Sequence, residues 1–184
     1  MERTDMELIE QTLSGEHQSY DALMIRYQKL VFSIAFGICK TYENAMDITQ
    51  DVFLKAYKKL DSFKGTSTFK TWISKISYNE SINWQKKNSK YQDYEDSQDF
   101  ELKIFKESNQ EDEILAKENK AMLLRCLFEL NTKYRLAVVL RYFENHSIKE
   151  IAVSMNCSEG VVKNMLFRSI QKLRKNLLAI QSGA

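Results

Sequence analysis

Proline is missing from the 184-residue chain, and glycine occurs only five times. Proline breaks helix interiors and glycine loosens them, so their scarcity favours long helices. Strand signals are equally poor: no sustained alternation of apolar and polar residues is bounded by turn residues. The expected fold is all-α. Long apolar runs are missing too; none reaches ~18 residues, and the first seven positions lack the apolar stretch of a leader. The expectation is therefore a soluble, cytoplasmic protein with no membrane insertion. Cysteines number three, Cys39, Cys126 and Cys157, far apart and without CxxC spacing. That pattern suits reduced thiols in a cytosol. The two histidines, His17 and His146, stand alone. There is no Ser/His/Asp set, no metal-ligand spacing and no glycine-rich phosphate loop, so neither catalysis, metal nor cofactor is expected. A lone histidine in a helical chain is expected at the surface or at a cap.

A large charge excess is also missing: the formal net charge is +2. The distribution says more than the total. From Lys55 to Lys90 nine lysines face only Asp61 and Glu80. Residues 91–113 reverse the sign, with nine carboxylates against Lys103 and Lys106. From Gly160 to Asn176 come Lys163, Arg168, Lys172, Arg174 and Lys175 with no acidic residue. Two basic segments thus flank an acidic one that lacks clear helical periodicity and reads as a flexible linker. The division is 1–90, a first small helical domain; 91–113, the acidic linker; and 114–184, a second. Apolar periodicity places helices near 4–14, 17–40, 43–60, 68–88, 114–130, 132–144, 148–155 and 159–179. Residues 61–68, with Gly65 and four hydroxyl side chains, form a loop.

The second domain carries the sharper motif. Ile148, Ile151, Ala152 and Met155 form one apolar face of a short helix. Asn156-Cys157-Ser158 follows, where asparagine tolerates a left-handed turn and serine can cap the next helix. Val161, Val162, Met165, Leu166, Ser169, Ile170 and Leu173 then give a second buried stripe. A small residue at the helix crossing, a permissive turn residue four positions later and a branched anchor six beyond that define a helix-turn-helix. Cys157 falls on its turn as a small core residue. The outward face of the second helix shows Glu159, Lys163, Asn164, Phe167, Arg168 and Lys172. Arginine, lysine and asparagine read base edges, and phenylalanine packs on a thymine methyl. The plainer alternative is a helical hairpin with a basic face.

The first domain carries a second constellation. Between Ala45 and Tyr57, the residues Ala45, Ile48, Val52, Phe53 and Ala56 would be buried. Asp47, Gln50, Asp51 and Leu54 lie toward other faces, a polar surface around an exposed leucine that suits a partner. From Phe63 to Lys87, aromatics interleave with lysines and small polar residues, a mixture suited to single-stranded nucleic acid. Trp72, Ile73 and Ile76 share a core stripe; Phe63 and Asn79 are the better candidates for touching a base.

The run A-x-D-I-x-Q-D-V-F-L from Ala45, followed by Phe63 and by F-x-T-W-I-x-x-I-x-x-N ending at Asn79, resembles the second region of extracytoplasmic-function (ECF, group IV) sigma factors of the sigma-70 family. Leu130, Arg135, Val139 to Tyr142, Ile148 to Ala152 and Cys157 to Arg168 resemble their fourth region. The resemblance covers most of the chain in the family's order. It implies a factor that binds core RNA polymerase, recognises −10 and −35 promoter elements and assists melting. Core polymerase would bind Asp47, Gln50, Asp51 and Leu54. The −10 strand would meet Phe63, Lys64, Lys70, Asn79, Asn83, Lys86 and Lys87. The −35 duplex would meet Ser158, Lys163, Asn164, Phe167, Arg168 and Lys172. The acidic linker would thread the polymerase's RNA exit path, and an anti-sigma factor would hold the chain inactive. Departures from the family pattern are Asn131 for proline, Val161 for threonine, Met165 for arginine, Asn83 for aspartate and Lys86 for arginine. An autonomous helix-turn-helix regulator would instead need a dimer seam, and no heptad repeat supplies one.

Overall fold

The computed structural model describes residues 3–88 and 122–181. The expected linker, 91–113, lies outside the described residues, as does the first part of the helix expected at 114–130. Every regular element among the described residues is helical: α1 (Asp5–Leu13), α2 (His17–Cys39), α3 (Tyr42–Lys58), α4 (Phe69–Asn88), α5 (122–128), α6 (Thr132–Val138), α7 (Ile148–Ser154) and α8 (Glu159–Gln181). Two departures from α geometry modify the expected boundaries. A 3-10 turn, Leu60–Ser62, follows α3, and α6 widens into a π turn, Val139–Phe143. The loop expected at 61–68 is present, with Gly65 at φ +68°.

Local chemistry starts these helices. Thr4 and Glu7 make a capping box at α1, with the Thr4 N–H donating to Glu7 Oε2 at 2.7 Å. Ser147 and Glu150 repeat it at α7, the Ser147 N–H donating to Glu150 Oε2 at 2.8 Å. Both fit the S/T-x-x-E signature, which satisfies two otherwise orphaned amides. Asn131 caps α6 by accepting from the Lys133 amide at 3.2 Å.

Helix α2 is the axis of the first unit and packs against α1, α3 and α4. It is the one described helix long and apolar enough to cross a membrane. Leu23, Leu30, Val31, Ile34, Ala35 and Ile38 on it are nonetheless buried in the core. Tyr20 fixes α2 to α3 by donating to the Phe53 carbonyl at 2.6 Å. Asp5 ties α1 to α2 by accepting from Arg26 and from the Tyr27 hydroxyl, each at 2.5 Å. The buried face of α4 departs from expectation. Ile73 is buried, but Trp72 and Ile76 are only half-buried. Their place is taken by Ser74, Ser77 and Ser81, each buried and each donating to the carbonyl four residues back at 2.7–2.8 Å. A serine so bonded is small and self-satisfied, so it lets helices approach closely at little polar cost.

The second unit packs α6, α7 and α8 together and seats them on α2 and α4. Arg135 is the centre of that seat, with only 1% of its surface exposed. Its Nε donates to the Gly37 carbonyl at 2.6 Å, and its Nη1 donates to the carbonyls of Phe128 and Leu130 at 2.9 and 3.2 Å. Gly37 lies in the last turn of α2, and Phe128 ends α5. The last carbonyls of a helix have no partner within it and form its negative pole. One guanidinium therefore caps two helices from two units, stacked 5.1 Å above the Phe128 ring. Burial pulls its pKa down to about 10, still charged at neutral pH.

His146 corrects an expectation. It is fully buried rather than at the surface, with Nε2 3.1 Å from the Ser74 hydroxyl of α4. Burial, assisted by the Lys70 charge, lowers its pKa and keeps the ring neutral. His17 is exposed and its Nδ1 lies 2.8 Å from the Tyr57 hydroxyl. All three cysteines are free, Cys39 and Cys126 buried and Cys157 half-buried. Burial raises each thiol pKa, that of Cys39 to about 11.

Replacing Arg135 by Met keeps bulk but leaves three carbonyls without their donor. A loss of roughly 2–4 kcal/mol is expected. Urea unfolding followed by circular dichroism measures it; an unchanged midpoint would make the carbonyl contacts dispensable.

Candidate nucleic-acid and polymerase interfaces

The helix-turn-helix forms at residues 147–173 as its spacing requires. Ile151, Ala152 and Met155 of α7 and its C-terminal end are buried against α8. Asn156 adopts φ +52°, the left-handed turn that asparagine tolerates better than most residues. Ser158 precedes α8, and its hydroxyl accepts from the Val161 amide at 3.3 Å. The stripe facing the core is Val162, Met165, Leu166, Ser169 and Leu173. Val161 and Ile170, expected in it, are exposed at 48% and 38%. They sit at its edges, where the 100° step per residue carries them off the core face. Met165 is only 6% exposed. Its side chain packs inward, into the stripe.

The outward face of α8 holds Lys163, Asn164, Phe167 and Arg168, all exposed, Phe167 at 65%. Lys172 is exposed but turned back, donating to the Glu129 carbonyl at 3.0 Å. The face is therefore a row of long donors around one apolar ring, presented on a rigid helix. Its chemistry suits base edges and a thymine methyl.

In the first unit, Phe63 is half-buried. Its ring meets those of Phe69 and Trp72 edge-on, at centroid distances of 5.8 and 5.5 Å. It acts as a wall of an aromatic cluster, with Lys64 exposed beside it. Asn79, Asn83, Lys86 and Lys87 are exposed along α4, and successive members three or four apart share a helix side. Lys70 differs from them. It is half-buried and donates to the Glu144 carbonyl of the second unit. Lys75, which the sequence reading passed over, is exposed beside Lys149 and Glu159. These three line an open cleft of about 550 Å³ between the units, together with Asn156 and Cys157. Its membership depends on α7 meeting α4, which no local pattern encodes.

On α3, the buried set is Ala45, Ile48, Thr49, Val52, Phe53 and Ala56. Asp47, Gln50, Asp51 and Leu54 are all exposed, Leu54 at 61%. The result is an acidic, amide-bearing surface with a bare leucine. Among the described residues no group of three His, Cys, Asp or Glu could hold a metal ion.

A helical chain with a helix-turn-helix in one unit and a basic, aromatic α4 in the other has the layout of a transcription protein. Residues 23–91 match "Sigma-70 region 2" and residues 120–173 match "Sigma-70, region 4". The ECF RNA polymerase sigma-E factor of Escherichia coli K12 is 31% identical over 173 residues, covering 90% of each chain. The RNA polymerase sigma-H factor of Pseudomonas aeruginosa is 29% identical over 182 residues, covering 94% of this chain and 93% of its own. Two solved structures share the fold. One is CnrH in complex with the cytosolic domain of CnrY, with TM-score 0.66 and 22% identity, covering 95% of this chain and 97% of the other. The second is the sigma factor RpoE in complex with the anti-sigma factor NepR from Bartonella quintana, with TM-score 0.68 and 21% identity, covering 87% and 97%. The chain belongs to the ECF group of the sigma-70 family, the sigma factors of transcription initiation.

The turn is testable without DNA. Asn156→Val places a β-branched side chain at positive φ and is expected to cost about 1–2 kcal/mol, whereas Asn156→Gly is near neutral. Thermal unfolding compares them; equal melting would mean that the turn does not constrain the motif.

Proposed function

We propose that the chain directs core RNA polymerase to promoters by reading two elements with its two units. The α3 face of Asp47, Gln50, Asp51 and Leu54 binds the polymerase clamp helices, as a polar surface around an exposed leucine can. Helix α8 lies in the −35 major groove, where Lys163, Asn164, Phe167 and Arg168 meet bases and backbone while Ser158 and Lys172 lie at the groove's edge. The −10 strand is captured at the first unit. Phe63 and its aromatic neighbours wall a place for an unpaired base, Asn79 and Asn83 supply amides, and Lys64, Lys70, Lys86 and Lys87 hold phosphates. The domains are 1–90 and 114–184, with 91–113 as the acidic connection through the RNA exit path, where its carboxylates mimic RNA.

The observation that carries this proposal is the coexistence of the α8 reading face with the separate acidic and apolar face of α3. A stand-alone DNA binder has no use for the second. Net charge of +2 fits the same picture, because a factor delivered by polymerase need not bind DNA tightly alone. The chain would work in the cytoplasm as a regulator rather than a catalyst. The two solved relatives are titled as complexes with the cytosolic domain of CnrY and with the anti-sigma factor NepR, which supports an anti-sigma partner here.

Transcript start mapping with reconstituted holoenzyme tests the whole. Selection of no promoter from a genomic template would refute it. Within that assay, Arg168→Ala is expected to weaken −35-dependent initiation by ~1–3 kcal/mol if it reads a base; unchanged selectivity would remove Arg168 from the reading face. Asn79→Ala is expected to impair open-complex formation, measured by permanganate reactivity of unpaired thymines, more than polymerase affinity. Equal loss of both would assign Asn79 to the scaffold.

A further inference from the structure

The junction between α4 and the helix-turn-helix encloses an imidazole. His146 lies between the π turn and α7, and both it and Ser74 beside it are fully buried. Its backbone is held on two sides. The amide donates to the Leu140 carbonyl at 2.9 Å, and the carbonyl accepts from Arg141 Nη1 at 2.9 Å. The ring therefore cannot swing into water while α4 stays in place.

The hydrogen bonds fix its tautomer. Ser74 has one hydroxyl proton and gives it to the Lys70 carbonyl at 2.8 Å. Toward His146 Nε2, 3.1 Å away, its oxygen can only accept. Nε2 must then carry the proton of the neutral ring, and Nδ1 is the bare nitrogen. Nδ1 is buried and has no hydrogen-bond partner among the described residues. It is the atom that would take a proton in acid.

Charged groups face the ring from each element around it. Lys70 of α4 opposes a charged ring, and Glu150 of α7 favours one. Arg141 of the π turn is spent on the His146 carbonyl. The Glu150 carboxylate is already engaged by the Ser147 amide and the Thr71 hydroxyl. The Glu144 carbonyl already accepts from Lys70. A proton on Nδ1 would thus place a second cation beside Lys70, in a buried junction whose acceptors are taken. Parting α4 from the turn would return the ring to water and remove that penalty.

We propose that His146 is a proton-operated latch between α4 and the helix-turn-helix: the neutral ring holds them together and the charged ring releases them. Burial and Lys70 hold the packed ring below the ordinary histidine pKa of about 6.5, to which it returns once parted. The packed form therefore binds fewer protons. Its weight relative to the parted form falls as pH drops below about 6.5, by up to ~tenfold per pH unit, until the packed ring itself titrates. At higher pH the ring is neutral in both forms and the junction is indifferent to pH. The placement of the helix-turn-helix against α4 thereby follows acidity, independently of the promoter reading proposed above.

The full-length chain is followed by small-angle scattering and circular dichroism between about pH 8 and about pH 5, the range in which histidine titrates. Wild type should be compact at the upper end and expand below about 6.5 with its helix content kept. His146→Gln has an amide that can donate to Ser74 but takes up no proton, so it should hold one radius throughout. His17→Gln should respond as wild type does. It also leaves His146 as the single histidine of the chain, so NMR reads that ring alone, with a midpoint below about 6.5 that moves with the expansion. A wild type of constant radius, a His146→Gln chain that expands at the same pH, or helix loss in step with expansion would each overturn the latch. So would a His146 ring that titrates with no change in radius, a result that holds even where His146→Gln fails to fold.

Discussion

A single buried guanidinium sets the terms for the rest of this structure. Arg135 loses nearly all contact with water, and removing a charge from water costs several kcal/mol unless polar partners replace it. The partners here are main-chain carbonyls at the ends of α2 and α5. Those of Gly37 and Phe128 are acceptors that their own helices leave unpaired, and that of Leu130 lies just beyond α5, so the charge and the helix ends solve one another's problem. The same residue joins the end of α2 to the segment between α5 and α6. Beside it, His146 meets Ser74 and Lys70 meets the Glu144 carbonyl, so α4 and the second unit are joined by separate polar contacts.

Much of this was legible in the sequence because it is local. The turn at Asn156, the cap at Ser158, the small Ala152 at the helix crossing and the split of α3 into buried and exposed faces each depend on residues within two helical turns. So does the outward face of α8. What was not legible depends on partners far along the chain. Ser74 and His146 are 72 positions apart, and nothing near His146 distinguishes a buried imidazole from a surface one. The serine face of α4 is hidden for a different reason. Periodicity methods score serine as exposed, yet a serine bonded to its own helix has no need of solvent. The apolar stripe of α8 was drawn two residues too wide, at Val161 and Ile170, because β-branched residues at a stripe's edge look the same as those within it.

The promoter-directed function sits comfortably with this division of labour. Most of its proposed contact residues are exposed side chains on helices whose opposite faces are packed, so their directions are set by the fold, while Phe63 and Lys70 are half-buried. Prearranged donors lose little entropy on binding. The weak total charge then favours choice of site over grip, with polymerase supplying the remaining affinity.

The three thiols have one more implication. Oxidants and electrophiles react with thiolate, and reactivity falls as burial keeps the thiol protonated. Cys39, Cys126 and Cys157 all have pKa values raised by burial. Burial therefore disfavours the thiolate at all three, and Cys39 and Cys126 are also enclosed, whereas Cys157 is half-buried. An oxidant arriving from solvent would meet Cys157 first, the one thiol of the three that keeps some exposure.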